Sequence, residues 1–317
     1  MIHVEQHGPV LCIRLARSLM GRPLQWAAAY WVEGLLIDAG PSCAAPQLLR
    51  MLEHVYVDQI AVTHCHEERI GGLALLRERF PNAPIYAPRR ALAAIEEPER
   101  LRLPVYRRVM WGRPRAAAGV RSYDEAGNVV CTPSYTLRVV ETPGHSADHA
   151  GLFEPEQRWL FSGDAFIGGE EQAWPREADL FGVLSSLRTL ASLRPERLYP
   201  GRGAVRRSPL PAIQAKIARL SELAQNVAAL EAKGVTATEM AAILLPSAPL
   251  ATAMQFWTGG QFSSLNLIEA CRSYNALMRP DTNSPRRKSP PAPPDMGEEG
   301  WADPPARWPT DRDDVLR

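Results

Sequence analysis

Apolar and polar positions change period several times along the chain, and each change marks an element. Between residues 9 and 40 the segments PVLCIRLA and AAAYWVEGLLIDAG are rich in β-branched, aromatic and leucine residues and break near Gly21 and Pro23, which predicts strands. APQLLRMLEHV has helical spacing, VDQIAVTH is a short apolar strand, GGLALLRERF restarts a helix, and APIYAP is a further strand bounded by prolines. From residue 128 the strand pattern returns as NVVCTP, YTLRVVETPGH, AGLFEP and RWLFSGD, divided by turn residues. DLFGVLSSLRTLASL is then an amphipathic helix, and ERLYPGRG reads as a strand running into a tight turn.

The character shifts after residue 205. LPAIQAKIARLSELAQNVAALEAKG has helical spacing and a glycine at its C-terminal end, and TATEMAAILL starts at a threonine cap, Thr236, with Glu239 three residues on. These signals set a domain over 1–205 apart from a helical appendage over 206–280. Residues 281–317 are dense in proline and charge and poor in aliphatics, so they cannot bury enough apolar surface to offset the entropy of ordering, and a disordered tail is expected. No repeat of solenoid length is present in the sequence.

Composition narrows the functional classes. Thirty-six basic residues against 35 acidic ones leave a net charge of +1, which gives no global reason to expect a nucleic-acid or membrane partner. The exception is local: Arg100, Arg102, Arg107, Arg108, Arg113 and Arg115 surround Tyr106 and Trp111, a basic stretch that suits either a lid or a solvated face. Five scattered cysteines with no CxxC pair suit free thiols in a reducing compartment, and the N-terminus lacks the pattern of a signal peptide, so a cytoplasmic location is expected. No apolar run approaches the ~18 residues that span a bilayer.

The chemistry concentrates at the ends of predicted strands. In THCHEERIGG, His64 and His66 follow a strand at period two, which points both rings to one side, with Cys65 directed away from them into packing. Such a pair alone is more often a surface or packing feature than a metal site. TPGHSADHAG places His145 after a Pro-Gly turn, FSGDA places Asp164 where another strand enters a turn, and LLIDAG does the same for Asp38. Glu67 reads as solvated, and His3, His7 and His54 have no companions.

In order, spacing and wording these stretches resemble the metallo-β-lactamase fold superfamily over about residues 10–205. That resemblance implies an α/β fold, a four-layered αβ/βα sandwich with the metal at the strand ends between two mixed sheets. It makes His64, His66 and His145 a three-histidine metal site and Asp164 the carboxylate that would bridge to a second ion. The other second-site positions depart from the pattern: Glu68 replaces an aspartate, and Arg69 and Arg202 replace histidines. Guanidinium has only donors and cannot ligate a cation, so one metal per chain is expected, Zn²⁺ first, with iron or manganese also admitted by the ligand set.

Arg69 and Arg202 are then expected either to pair with Glu68 and Asp164 or to hold the anionic part of a small substrate. The resemblance places Asp38 and His149 behind the ligands, orienting them. The function implied is metal-dependent hydrolysis of an ester, thioester or lactone-like bond, with Asp164 and Glu68 as the candidate catalytic carboxylates. The rivals are a catalytically impaired binding or regulatory relative and a phosphodiesterase, the latter supported only by the arginine stretch. That stretch and WTGGQFSSLNL (257–267) are the candidate substrate contacts.

Overall fold

The computed structural model describes residues 1–168, 171–245 and 255–279. The proposed tail over 281–317 lies outside the described residues. Two mixed sheets carry the fold. The first has seven strands in the order Ile2–His7, Val10–Leu15, Ala27–Val32, Leu35–Ile37, Gln59–Ala61, Ile85–Ala87 and Val120–Ser122, antiparallel up to Leu35–Ile37 and parallel beyond it. The second runs Val129–Cys131, Thr136–Glu141, Ala150–Glu154, Trp159–Gly163, Arg197–Pro200 and Arg206–Arg207, with one parallel pair, Trp159–Gly163 beside Arg197–Pro200.

Side-chain alternation sorts these strands into layers. Tyr30, Leu35, Ile37 and Ala61 from the first sheet meet Leu152, Trp159, Phe161 and Tyr199 from the second, forming the core between the sheets. Their strand neighbours point the other way: Ala29, Leu36 and Ile60 pack on the helices Ala45–Leu52 and Leu73–Arg79 through Leu48, Leu52, Leu73 and Leu76. On the far side Phe153, Leu160 and Leu198 pack on Leu184 and Leu187 of the helix Leu180–Ser192. Helix, sheet, sheet, helix is the four-layered αβ/βα sandwich expected from the sequence.

The helical region after residue 205 is built onto this body. Ile213 and Leu220 of Leu210–Glu231 and Leu267 and Ile268 of Ser264–Met278 share one core with Leu160 and Leu198, so these helices widen the fourth layer. Their apolar stripe is buried in that shared core. The capping box of Thr236 and Glu239 is present at the start of Ala237–Leu244.

Candidate metal centre

Three strand ends deliver the four candidate ligands. Gln59–Ala61 leads into His64 and His66, and the backbone of Thr63 bridges the two sheets: its N–H donates to Asp38 Oδ1 (2.8 Å) and its carbonyl accepts from Ala150 N–H (2.9 Å). His66 begins the short helix Glu67–Ile70 in an extended conformation, so the motif turns sharply after its second histidine. Asp164 follows Gly163, whose φ of +49° suits glycine, and a Cβ there would lie 2.6 Å from His149 Nε2.

His64 Nε2 lies 3.0 Å and His145 Nε2 3.1 Å from His66 Nδ1, and Asp164 Oδ2 lies 3.8 Å and 3.6 Å from His64 Nε2 and His145 Nε2. All four ligand atoms fall within 4.8 Å of one another. A tetrahedron with metal–ligand arms of ~2.0–2.1 Å has edges of about 3.3 Å, so this set has the dimensions of a tetrahedral zinc cradle.

Proton accounting leads to the same place. Thr63 Oγ1 sits 3.0 Å from both Asp38 Oδ2 and His64 Nδ1. With its hydroxyl donating to the carboxylate, it accepts from Nδ1–H, which leaves His64 Nε2 a bare lone pair. His66 Nδ1 carries at most one proton for two facing nitrogens, and Asp164 Oδ2 is buried without a hydrogen-bond partner among the described residues. Burial first, then neighbouring positive charge, holds His64 and His66 well below the ordinary imidazole range, so the rings are neutral. A cluster with more lone pairs than protons is what a divalent cation satisfies, and His64, His66, His145 and Asp164 fit one.

The two arginines part company. Arg69 is 0 % exposed, donating from Nη2 to Asp164 Oδ1 (2.6 Å) and from Nη1 to the carbonyls of Gly201 (2.8 Å) and Ala28 (3.1 Å). Of the two roles expected for Arg69, pairing with Asp164 is present, and the substrate contact is corrected: packed behind Asp164, Arg69 has no exposed surface to offer. Gly201 is the floor of that nest, since a Cβ there would lie 2.2 Å from Asp164 Oδ1 and 2.4 Å from Arg69 Nη2. Burial alone would raise the Asp164 pKa, but Arg69, Arg202 and His145 hold it below the usual carboxylate range. Arg202 instead lies at the surface of a cavity, its guanidinium 5.7 Å from the Trp111 ring centre and 3.9 Å from Glu68 Oε1.

Glu67 is a second correction. It is 1 % exposed, not solvated, because Arg107 from the helix Val105–Trp111 reaches across to donate Nε–H to Glu67 Oε1. The same guanidinium lies 3.3 Å from Glu68 Oε2 and 3.4 Å from Glu177 Oε1. Burial, then the neighbouring Glu68 charge, raises the Glu67 pKa, whereas in Glu68 burial is outweighed by Arg107, His66, Arg202 and Arg69, which hold it below the usual carboxylate range. Arg107 carried only the weak signal of a basic stretch, which gives no hint of partners some forty residues away.

Asp38 and His149 lie behind the ligands. Asp38, at φ +62°, accepts from Thr63 and through it fixes His64. Burial, opposed by Arg69 and Thr63, brings the Asp38 carboxyl up to about 7. His149 Nε2 accepts the Asp164 backbone N–H (2.9 Å), and its Nδ1 lies 2.7 Å from Thr142 Oγ1, so it props the Asp164 turn and is not among the converging ligand atoms.

A cavity of about 620 Å³ opens over this centre, with His66, His145, Asp164, Glu68 and Arg202 among its lining residues. Of the two expected contact regions, the arginine stretch supplies Tyr106, Arg107, Met110 and Trp111, and the later segment supplies Phe262. Trp257 stacks at a tilt on Tyr106, with ring centres 5.8 Å apart.

Comparison with known proteins agrees with this geometry. Residues 28–202 match the family model described as the metallo-beta-lactamase superfamily. Among curated relatives, an Aspergillus fumigatus atrochrysone carboxyl ACP thioesterase is 31% identical over 224 residues, covering 66% of this chain and 62% of the relative. A Caenorhabditis elegans beta-lactamase-like protein 2 homolog is 28% identical over 152 residues, 47% of this chain and 43% of the relative. The chain thus spans less than two thirds of the length of these relatives. A solved metallo-beta-lactamase family protein from Thermus thermophilus superposes with a TM-score of 0.60 at 20% identity, covering 85% of this chain and 93% of that one.

Proposed function

From a chain that belongs to the metallo-β-lactamase superfamily, we propose a hydrolase that uses one metal ion per chain to cleave a small ester, thioester or lactone-like substrate. The observation that carries this reading is the convergence of His64 Nε2, His66 Nδ1, His145 Nε2 and Asp164 Oδ2 beneath an open cavity. The likeness to a thioesterase supports a thioester within that class.

His64, His66 and His145 would hold Zn²⁺ with Asp164 Oδ2 beside it, and the ion would supply Lewis acidity and the activation of water at neutral pH. The protein's own residues set the rest. Arg69 keeps Asp164 ionised by binding Oδ1, so Oδ2 stays anionic toward the cation and available as a hydrogen-bond acceptor. Neither Asp164 nor Glu68 is tuned to keep a proton at neutral pH, so both act as orienting charges. The same pairings support one ion: Asp164 Oδ1 is taken by Arg69, and Glu68 is flanked by Arg107 and Arg202. Arg202, partly exposed on the cavity, is the residue to receive an anionic group of the substrate.

Metal analysis of purified protein, together with turnover of an aryl ester and an acyl thioester, tests the proposal. One ion per chain, lost with turnover in His64→Ala, is expected. Two ions per chain, or no ion and no turnover in either protein, overturns it.

A further inference from the structure

The cavity has walls from two separate cores. Met110 and Trp111, with Tyr106 packed against them, cluster on Ala27 beside the first sheet. Across the polar floor, Trp174 and Val183 belong to the core of the second sheet and its helices. The two walls differ in charge. On the first, the partly exposed guanidinium of Arg202 lies near the Trp111 ring and 3.9 Å from Glu68 Oε1, so an anionic ligand there would share a cation with that carboxylate.

The second wall is largely apolar, with Gln172 and Glu177 at its edges. Trp174 Nε1–H donates to the Ala178 carbonyl (3.0 Å), so the indole has no free donor and offers the cavity carbon surface. Its backbone is fixed by the ladder of Trp174–Pro175 with Phe262–Ser263 and by Asn266 Nδ2, which donates to the Trp174 carbonyl (3.1 Å). Ile167, Ala178, Val183 and Phe262 continue the lining. Lys216, which also reaches this side, is buried, ion-paired with Glu171 and donating to the Ile167 carbonyl, so its charge is already met.

We propose, resting on the hydrolase reading above, that the substrate carries an uncharged aromatic or branched apolar group on one side of the scissile bond, seated against Trp174, and an anionic group on the other, beside Trp111 and Arg202. A cavity of this size holds a bicyclic ring, and a largely apolar wall, whose Trp174 donor is already bonded and whose Gln172 Oε1 has no hydrogen-bond partner among the described residues, discriminates mainly by the hydrocarbon area it buries. Hydrolysis adds water across the acyl C–S or C–O bond and yields a carboxylate and a thiol or alcohol. The specificity determinant is Trp174, with Phe262 and Val183 beside it.

The test is a thioester series on metal-loaded protein. One arm varies the acyl group (acetyl, hexanoyl, benzoyl, 2-naphthoyl) on 3-mercaptopropionate, and the other varies the thiol on a fixed succinyl acyl group. In one arm, kcat/KM for the bicyclic member should exceed that of the smallest by tenfold or more, an amount that ring burial in a fitted pocket supplies readily. That ratio should collapse toward one in Trp174→Ala. Where Trp174→Ala fails to fold by circular dichroism, Ala178→Phe, which fills the same wall, should reverse the ratio. A ratio near one in both arms, or one unchanged by the wall variants, overturns the inference while leaving the hydrolase reading standing. If neither these thioesters nor an aryl ester turns over, the hydrolase reading falls, and calorimetric titration with 2-naphthoate against acetate decides the wall: tighter naphthoate binding, lost in Trp174→Ala, supports it, and equal binding refutes it.

Discussion

Replacing Arg69 by methionine is the sharpest probe of how this centre is held. Methionine keeps an unbranched apolar stem of similar length, so the change removes the guanidinium while leaving most of the packing. The structure sets what is lost: a 2.6 Å charge-assisted bond to Asp164 Oδ1 and bonds to the Gly201 and Ala28 carbonyls, all at a residue that is 0 % exposed. Gly201 O keeps its bond from Ala28 N–H, so the main casualty is Asp164, left as an uncompensated buried carboxylate. Removing one member of a buried pair costs about 3–5 kcal/mol. With a urea slope of about 3 kcal/mol/M, the unfolding midpoint of the metal-free protein should fall by about 1–1.7 M. Asp164→Asn should cost a similar amount by stranding Arg69, and the double variant should be more stable than the sum of the singles by about 2–3 kcal/mol. A midpoint loss in Arg69→Met equivalent to under about 1 kcal/mol, or strict additivity in the double variant, would refute the reasoning that the guanidinium supports Asp164.

Three further outcomes follow from the same geometry. Asp38→Ala removes the anchor of Thr63 and so the orientation of His64; Zn²⁺ affinity, read by competition with a chromophoric chelator, should weaken about 10–100-fold, and unchanged affinity would count against the Asp38–Thr63–His64 relay. Gly201→Ala places a methyl group 2.2 Å from Asp164 Oδ1, so this variant should lose metal and stability together, whereas a wild-type metal content would show that the nest has slack. Burial, then the charge of His145, lowers the His149 pKa to about 3. A histidine whose folded pKa is depressed adds no penalty above its unfolded pKa near 6.5, but as pH falls from there toward 3 the unfolded chain gains a proton that the folded one refuses. Stability of the metal-free protein should therefore drop over that window, and in His149→Gln the drop should be shallower by up to about 1.4 kcal/mol per pH unit; denaturant titrations with identical slopes in the two proteins would contradict this.

The ligand set was legible in the sequence because strand ends and turns are local signals. Period-two placement puts His64 and His66 on one side, and Pro-Gly and Ser-Gly turns mark His145 and Asp164. The sandwich was legible only through the resemblance that those motifs carry; the apolar patterns by themselves marked strands and helices, and the sorting of Tyr30, Leu35 and Ile37 to one face and Ala29 and Leu36 to the other is seen in the fold. What escaped is what depends on distant partners. Glu67 looks like a surface residue until Arg107 arrives from another helix, and no local pattern announces that ion pair. Arg69 and Arg202 were read together as departures from one motif, yet one lies at the floor of a nest and the other at a cavity wall, a difference decided by Gly201 and Trp111. The helices after residue 205 show their apolar stripe in sequence, but the sheet that receives it is known only once the fold is complete.

The separate origins of the two walls bear on how this protein can diversify. A substitution that reshapes the Trp174 side perturbs the helices over the second sheet, and one on the Trp111 side perturbs a small cluster around Ala27. Neither has to disturb the imidazole cradle, which hangs from strand termini between them. Substrate range can therefore drift on one flank at a time while the reactive apparatus stays fixed, so descendants of this fold are free to trade partners without relearning the chemistry.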